Sequence, residues 1–285
     1  MNVSVRLGQL ALNVLSRRPI KPLPRKPESG MRYLTLAGRS HWLMLRESLF
    51  SLYRSWKKLP AITVVSDGSW SASDFYPVFS WWPGKIDVRS REEIIAEADA
   101  AGERELAQYS EASGWGLKVT SIVLSARREP VLFVDADILW FADPVDLLGP
   151  KDSWAEPRGV REGNCYQHQQ MALHFCPKVL EPPYVNGGIL ALHGDFLTPD
   201  VLRAMVREAL VDPQDGAFEQ TIIATAVHRG AGLLPAIISL VEFDDIDRFR
   251  HRNMGREGYY SRHYVNWMRH LIYRDALKLR LQSRI

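Results

Sequence analysis

The chain has 285 residues, 46% of them hydrophobic, enough to bury a sizeable core in one large α/β domain. Its formal net charge is only +3, so the charge balance calls for no nucleic-acid partner and leaves anionic small molecules open as ligands. The two cysteines, Cys165 and Cys176, are too few for a disulfide framework and lack the paired spacing of a zinc site.

Residues 1–30 form a basic, proline-rich leader in which Arg6, Arg17, Arg18, Lys21, Arg25 and Lys26 face one acid, Glu28. It reads either as a basic amphipathic helix lying on an anionic membrane surface or as a disordered segment. No apolar run reaches the roughly 18 residues needed to cross a bilayer, and the N-terminus lacks an uninterrupted signal-peptide core. A cytoplasmic location is expected, with peripheral membrane contact through the N-terminus as the further option.

From residue 31 the pattern becomes regular. MRYLTLAG reads as a buried strand ending at Gly38, HWLMLRESLFSLYRSW has helical spacing, AITVVSDGS is a second strand closing at Asp67 and Gly68, and IDVRS is a short third. Residues 91–112 and 117–126 read as helices, and a proline precedes VLFVDADI, the strongest apolar run. Strands alternating with helices predict a single α/β domain over 31–285 with an open, Rossmann-like, mostly parallel sheet, whose ligands bind beyond the carboxyl ends of the strands. The second half is less regular. A loop-rich stretch over 150–183 is followed by YVNGGILALHG, a helix near 199–211, FEQTIIATAVHRG and a basic tail.

The chemistry concentrates in VLFVDADILWF. Asp135 and Asp137, separated by Ala136, close an apolar strand and can approach one point, and two hard oxygen donors suit Mg2+ or Mn2+. The bland alternative is a strand end capped by ordinary loop acids. Against it, VLFV before and ILWF after press both charges into apolar surroundings, where a cation is needed to compensate them. A phosphatase of the haloacid-dehalogenase type also places D-x-D at a strand end, but here Leu139 stands in the fifth position and the motif falls mid-chain.

Taken in order, YLTLAG, LKVTSIVL, VLFVDADILWFADP, YVNGGILAL, FEQTII and RHYVNWMRH resemble glycosyltransferase family 8 and its bacterial relatives, over residues 31–273. The resemblance implies a GT-A fold and transfer of a sugar, with retention, from a nucleotide-diphosphate sugar such as a UDP-sugar to a hydroxyl acceptor on a saccharide, lipid-linked glycan or protein. It implies Asp135, Asp137 and His263 as metal ligands, with His251, His270 and His193 as other histidines to weigh. Asn266 and Arg269 stand where the family has a glycine and a lysine on the diphosphate, and Arg keeps the charge and adds a fork of donors.

The same resemblance puts Asn186 of YVNGGI, Glu219 and Gln220 against the sugar. It puts Ala37, Gly38, Arg39 and Asp67 against the nucleotide, makes Ala136 a further donor-binding position, and matches Lys118 to a basic residue that precedes the metal strand and assists the departing diphosphate. A tight turn at NGG, a surface helix start at FEQT and a solvated Lys118 are the bland readings of those positions. A sugar-phosphate nucleotidyltransferase, or a turnover-free sugar-binding or scaffold protein on the same fold, are the competing functions.

Overall fold

The computed structural model describes residues 3–241 and 258–282. Helix α1 (Val3–Ser16) is followed by β1 (Glu28–Ala37), α2 (Trp42–Ser55), β2 (Leu59–Ser66), α3 (Ala72–Phe79) and β3 (Ile86–Arg89). The expected helical stretch 91–112 is two helices, α4 (Arg91–Ala100) and α5 (Arg104–Ala112). The chain turns between them because the Glu103 N–H folds back to the Ala98 carbonyl at 2.9 Å and closes the end of α4.

Next come α6 (Gly114–Arg128), β4 (Val131–Val134), β5 (Ile138–Trp140), α7 (Val145–Leu148), β6 (Arg158–Glu162) and α8 (Gln169–Phe175). β7 (Tyr184–Leu192), α9 (Pro199–Ala209), α10 (Gly216–Arg229), β8 (Gly232–Leu233), β9 (Ser239–Val241), β10 (Ser261–His263) and α11 (His270–Gln282) complete the described chain.

Seven strands make the central sheet in the order β3-β2-β1-β4-β7-β6-β8. The first four run parallel, β7 runs antiparallel to β4 and β6, and β8 lies parallel to β6. Alternation along the strands sends Leu34, Phe133 and Leu190 to the face covered by α4–α6 and α8–α10. Tyr33, Leu132 and Ile189 face α2, α3, Trp56 and Trp140. This single α/β domain with helices on both faces of a mostly parallel sheet is the architecture expected from the alternating pattern.

A second sheet, β5-β10-β9, carries the C-terminal segment back to the stretch that follows β4. The basic tail is not loose: it forms α11, which buries Leu271 and Ile272 against Leu15 of α1 and Leu43 and Met44 of α2. Arg280 donates to both Glu47 carboxylate oxygens at 2.7 and 2.6 Å, and the Arg46 guanidinium donates to the Leu15 carbonyl at 2.7 Å. Within the expected leader, α1 buries Ala11 and Leu15 and β1 already opens at Glu28. Fully burying a leucine side chain contributes about 1.5–3 kcal/mol, so Leu15 supplies a real anchor. Among the described residues no helix is long and apolar enough to cross a membrane.

Candidate active site

Strands β2 and β3 extend the sheet to one side of β1 while β4 lies on the other, so the sheet has its switch point between β1 and β4. Open α/β sheets hold ligands in the crevice outside the carboxyl ends of such a pair. Ala37 ends β1 there, with Gly38 and Arg39 following, and Asp135 leaves β4 there with its N–H donating to the Gly188 carbonyl at 2.8 Å.

The small sheet brings the third residue of the group. β10 pairs antiparallel with β5 in a register that sets His263 opposite Ile138, and the Tyr264 N–H donates to the Asp137 carbonyl at 3.0 Å. His263 Nε2 consequently lies 3.0 Å from Asp137 Oδ1 and 3.7 Å from Asp135 Oδ2. Ligand atoms of Asp135, Asp137 and His263 fall within 4.8 Å of one another. Oxygen and imidazole donors at that spacing fit one Mn2+- or Mg2+-sized ion with bonds of about 2.0–2.3 Å. His193 and His270 do not join the group, and His251 lies outside the described residues.

The network around these three side chains is dense. Asn186 Oδ1 accepts from the Gly188 N–H at 2.8 Å and meets His263 Nδ1 at 2.9 Å, which fixes the ring orientation. Burial alone would lift the Asp137 carboxyl, but His263 and then Arg269 hold it well below the usual carboxylate range. Burial works against a charged His263, yet Asp137 and Asp135 raise its pKa. Arg269, expected on a diphosphate, donates from Nε to Asp137 Oδ2 at 2.8 Å and stays 45% exposed in its side chain, free to reach outward.

On the helical side, Lys118 of α6 is 4% exposed rather than solvated, with Nζ 3.1 Å from Asp135 Oδ1 and 2.9 Å from Glu219 Oε1. Burial opposes its charge, and Asp135 and Glu219 overcome that and raise its pKa. Glu219 is fully buried in the first turn of α10; burial pushes its pKa up while Lys118 draws it back. Gln220 Nε2 donates to Glu219 Oε2 at 2.9 Å, and Gln220 Oε1 accepts from the Gly187 N–H at 3.2 Å. FEQT is thus a buried helix start, and NGG lies in strand β7 instead of a turn.

A side chain at Gly188 would collide with the imidazole, because its Cβ would fall 2.5 Å from His263 Nδ1 and Cε1. Gly188→Ala should therefore lower stability by about 1–3 kcal/mol or displace His263. Thermal denaturation together with titration by Mn2+ checks both outcomes.

Gly38 and Asp67 meet at the next strand end, where a Cβ on Gly38 would sit 1.8 Å from Asp67 Oδ2. The Arg39 N–H donates to Ser69 Oγ at 2.7 Å and Asp67 Oδ1 accepts from the Ser69 N–H at 2.9 Å, so the two loops are stapled together. Ala136, 8% exposed, lies buried between the acids. Asn266 opens a 3-10 turn over Asn266–Arg269, so its right-handed backbone does not use the left-handed geometry that would explain an Asn in place of Gly; its side chain lies outside the described residues.

Two site residues escaped the sequence reading. His41 is held below its ordinary pKa by burial and by Arg269, with Asp137 and Asp67 opposing, which locates it between the loops and the acids. Glu162, at the end of β6, is 5% exposed beside Asn186. A cavity of about 530 Å3 lined by His168, His174, Glu208 and Phe218 shares no residue with this site.

No family model and no curated protein sequence matches the chain. Solved structures do. The galactosyltransferase LgtC, in complex with donor and acceptor sugar analogs, superposes at a TM-score of 0.55 with 12% identity, over 90% of this chain and 97% of that one. Mouse xyloside xylosyltransferase 1 gives 0.50 and 12%, over 84% of this chain and 98% of that one. The glycosyltransferase GlyE of Streptococcus pneumoniae TIGR4 gives 0.53 and 11%, over 90% of this chain and 64% of that one. At such identities the likeness is one of fold, and the fold is the GT-A fold of the glycosyltransferases.

Proposed function

We propose that this protein is a metal-dependent glycosyltransferase that moves a sugar from a UDP-sugar to a hydroxyl acceptor with retention of configuration. The observation that carries the reading is the convergence of Asp135, Asp137 and His263 at the switch point of a glycosyltransferase fold. Asp135, Asp137 and His263 would hold a Mn2+ or Mg2+ ion, which when bound supplies positive charge to the diphosphate leaving group.

Everything else falls to the chain itself. Arg269 has the reach and the exposed fork to leave Asp137 for a phosphate, where it would stabilise charge growing on the leaving group. Lys118 bridges Asp135 and Glu219 and holds the two carboxyl groups in place. Asn186, Glu219 and Gln220 line the strand and helix that face the metal group, and are assigned to the sugar hydroxyls and the anomeric region. Ala37, Gly38, Arg39 and Asp67 are assigned to base and ribose. Retention is supported by the family-like order of NGG and EQ, with an amide, Gln220, in the central position. Exposed Leu7 and Leu10 beside exposed Arg6, Arg17 and Arg18 support peripheral contact with an anionic membrane.

The test is a panel of nucleotide sugars screened for Mn2+-dependent thermal stabilisation, followed by NMR of the transferred glycoside. A ligand at 100 times its Kd adds about 2.7 kcal/mol, an unmistakable shift. Stabilisation by no nucleotide sugar, or an initial product of inverted configuration, would overturn the respective part of the reading.

A pH dependence follows from His263. Its raised pKa means that its ion pair with Asp137 contributes stability fully below 6.5, the ordinary value, and loses it as the pH climbs through the folded value. A metal must displace that proton. Below the folded pKa, Mn2+ affinity should rise about tenfold per pH unit, and calorimetry in two buffers should register one released proton. In His263→Ala the slope should flatten and affinity should fall.

A further inference from the structure

Glu162 is the least economical side chain in the site. It belongs to β6, whose burial alternates so that Val160 and Glu162 turn inward while Arg161 is exposed. Val160 pairs with Asn186 in the β6–β7 register, so Glu162, two residues on, emerges on the same sheet face as Asn186, the face that meets His263. Around the carboxyl, His263 and Lys118 attract it, Glu219 repels it, and Asn186 lies beside it. Burial outweighs these and pushes the carboxyl up to about 7.

Yet one oxygen, Oε2, is buried with no hydrogen-bond partner among the described residues. Leaving a buried acceptor unpaired is costly, and a fold that needed only a filler would be served by an apolar residue of similar volume. A polar group kept at a loss of stability beside a ligand site is expected where the ligand supplies the missing partner.

Resting on the glycosyltransferase reading above, we propose that Glu162 is a donor-specificity residue whose Oε2 receives a hydroxyl of the transferred sugar, next to Asn186. The contact is to the sugar and not to the nucleotide, because the Gly38–Asp67 loops stand at the ends of β1 and β2, across β4 and β7 from β6. A carboxyl with a buried, unpartnered oxygen favours a hexose hydroxyl over a position lacking it.

The experiment measures Kd for UDP, UDP-glucose and UDP-galactose in Mn2+ by calorimetry, for the parent, Glu162→Gln and Glu162→Ala, alongside ligand-free melting. For the UDP-hexose that the parent prefers, the ratio of its Kd to that of UDP should rise about tenfold in Glu162→Ala, with UDP itself bound within twofold of the parent. Glu162→Gln should rise less, and its ligand-free Tm should equal or exceed the parent's. An unchanged ratio in both variants, or a Glu162→Gln protein that melts several degrees lower, overturns the assignment while leaving the glycosyltransferase reading intact. A parent that binds neither UDP nor either UDP-hexose overturns both.

Discussion

Asp137→Asn should abolish measurable Mn2+ binding and reduce sugar transfer by about 1,000-fold, equivalent to about 4 kcal/mol of lost stabilisation, while the protein still folds. Asp137 is 4% exposed and contributes Oδ1 to His263 and Oδ2 to Arg269, so both oxygens are already directed at cations. An amide of the same shape keeps the backbone bond from the Tyr264 N–H to residue 137 but presents one neutral oxygen, a poor ligand for a hard dication.

Folding should survive because the orphaned cations have other outlets. Arg269 is largely solvated, and His263 can lose its proton once the carboxylate that raised its pKa is gone. Far-ultraviolet circular dichroism should therefore match the parent, and the pH slope of stability due to His263 should shrink. Calorimetry showing the parent's Mn2+ affinity in Asp137→Asn would sink the assignment of this group as the metal centre.

How much of this was readable beforehand depends on the range over which each residue finds its partners. Strand β4 is legible because its signal is local: VLFV needs only its own apolar run to read as a buried strand, and Asp135 follows at once. The order of NGG and FEQT is legible in the sequence, but the burial of the α10 start is not, since nothing within FEQT says that Lys118, a hundred residues earlier, pairs with Glu219. Glu162 was invisible for a related reason. RGVRE carries two arginines and a glycine, the β6–β7 ladder shifts register between Gly159 and Val160, and its partner strand begins beyond a helix. Short polar strands with a bulge lose the period-two pattern on which sequence reading relies.

The C-terminal segment shows the opposite failure. Arginines and lysines over 269–280 read only as a basic tail, whereas Asp275 accepts from Arg262 at 3.1 Å and from the Tyr264 hydroxyl at 2.9 Å and so ties α11 to β10. That tie holds His263 opposite Ile138, and a charge count carries no trace of it. The family-like spacing after His263 points to the segment's importance, but the buried Arg280–Glu47 ion pair that anchors it depends on α2, an element from the other end of the chain.

Lys118→Met should cost about 3–5 kcal/mol of folding stability, more than any other single change outside the apolar core considered above. Lys118 Nζ is the buried cation between Asp135 and Glu219, at 3.1 and 2.9 Å, and it also stacks 5.0 Å from the Phe133 ring centroid. Methionine fills the stem's volume but removes the charge, leaving Glu219, fully buried, with Gln220 as a donor and Asp135 still nearby. Asp135 is partly exposed and can be solvated or take the metal; Glu219 can do neither and must accept a proton. The double variant Lys118→Met with Glu219→Leu removes the stranded charge along with its partner, and should recover most of the loss, because a buried pair replaced by apolar residues is often near neutral. Activity should not return with stability, since Glu219 is assigned to the sugar. Urea denaturation of the three proteins, with and without Mn2+, measures all of this. A Lys118→Met protein within about 1 kcal/mol of the parent would mean that Glu219 is held neutral in the native site and that the trio is not an ion network.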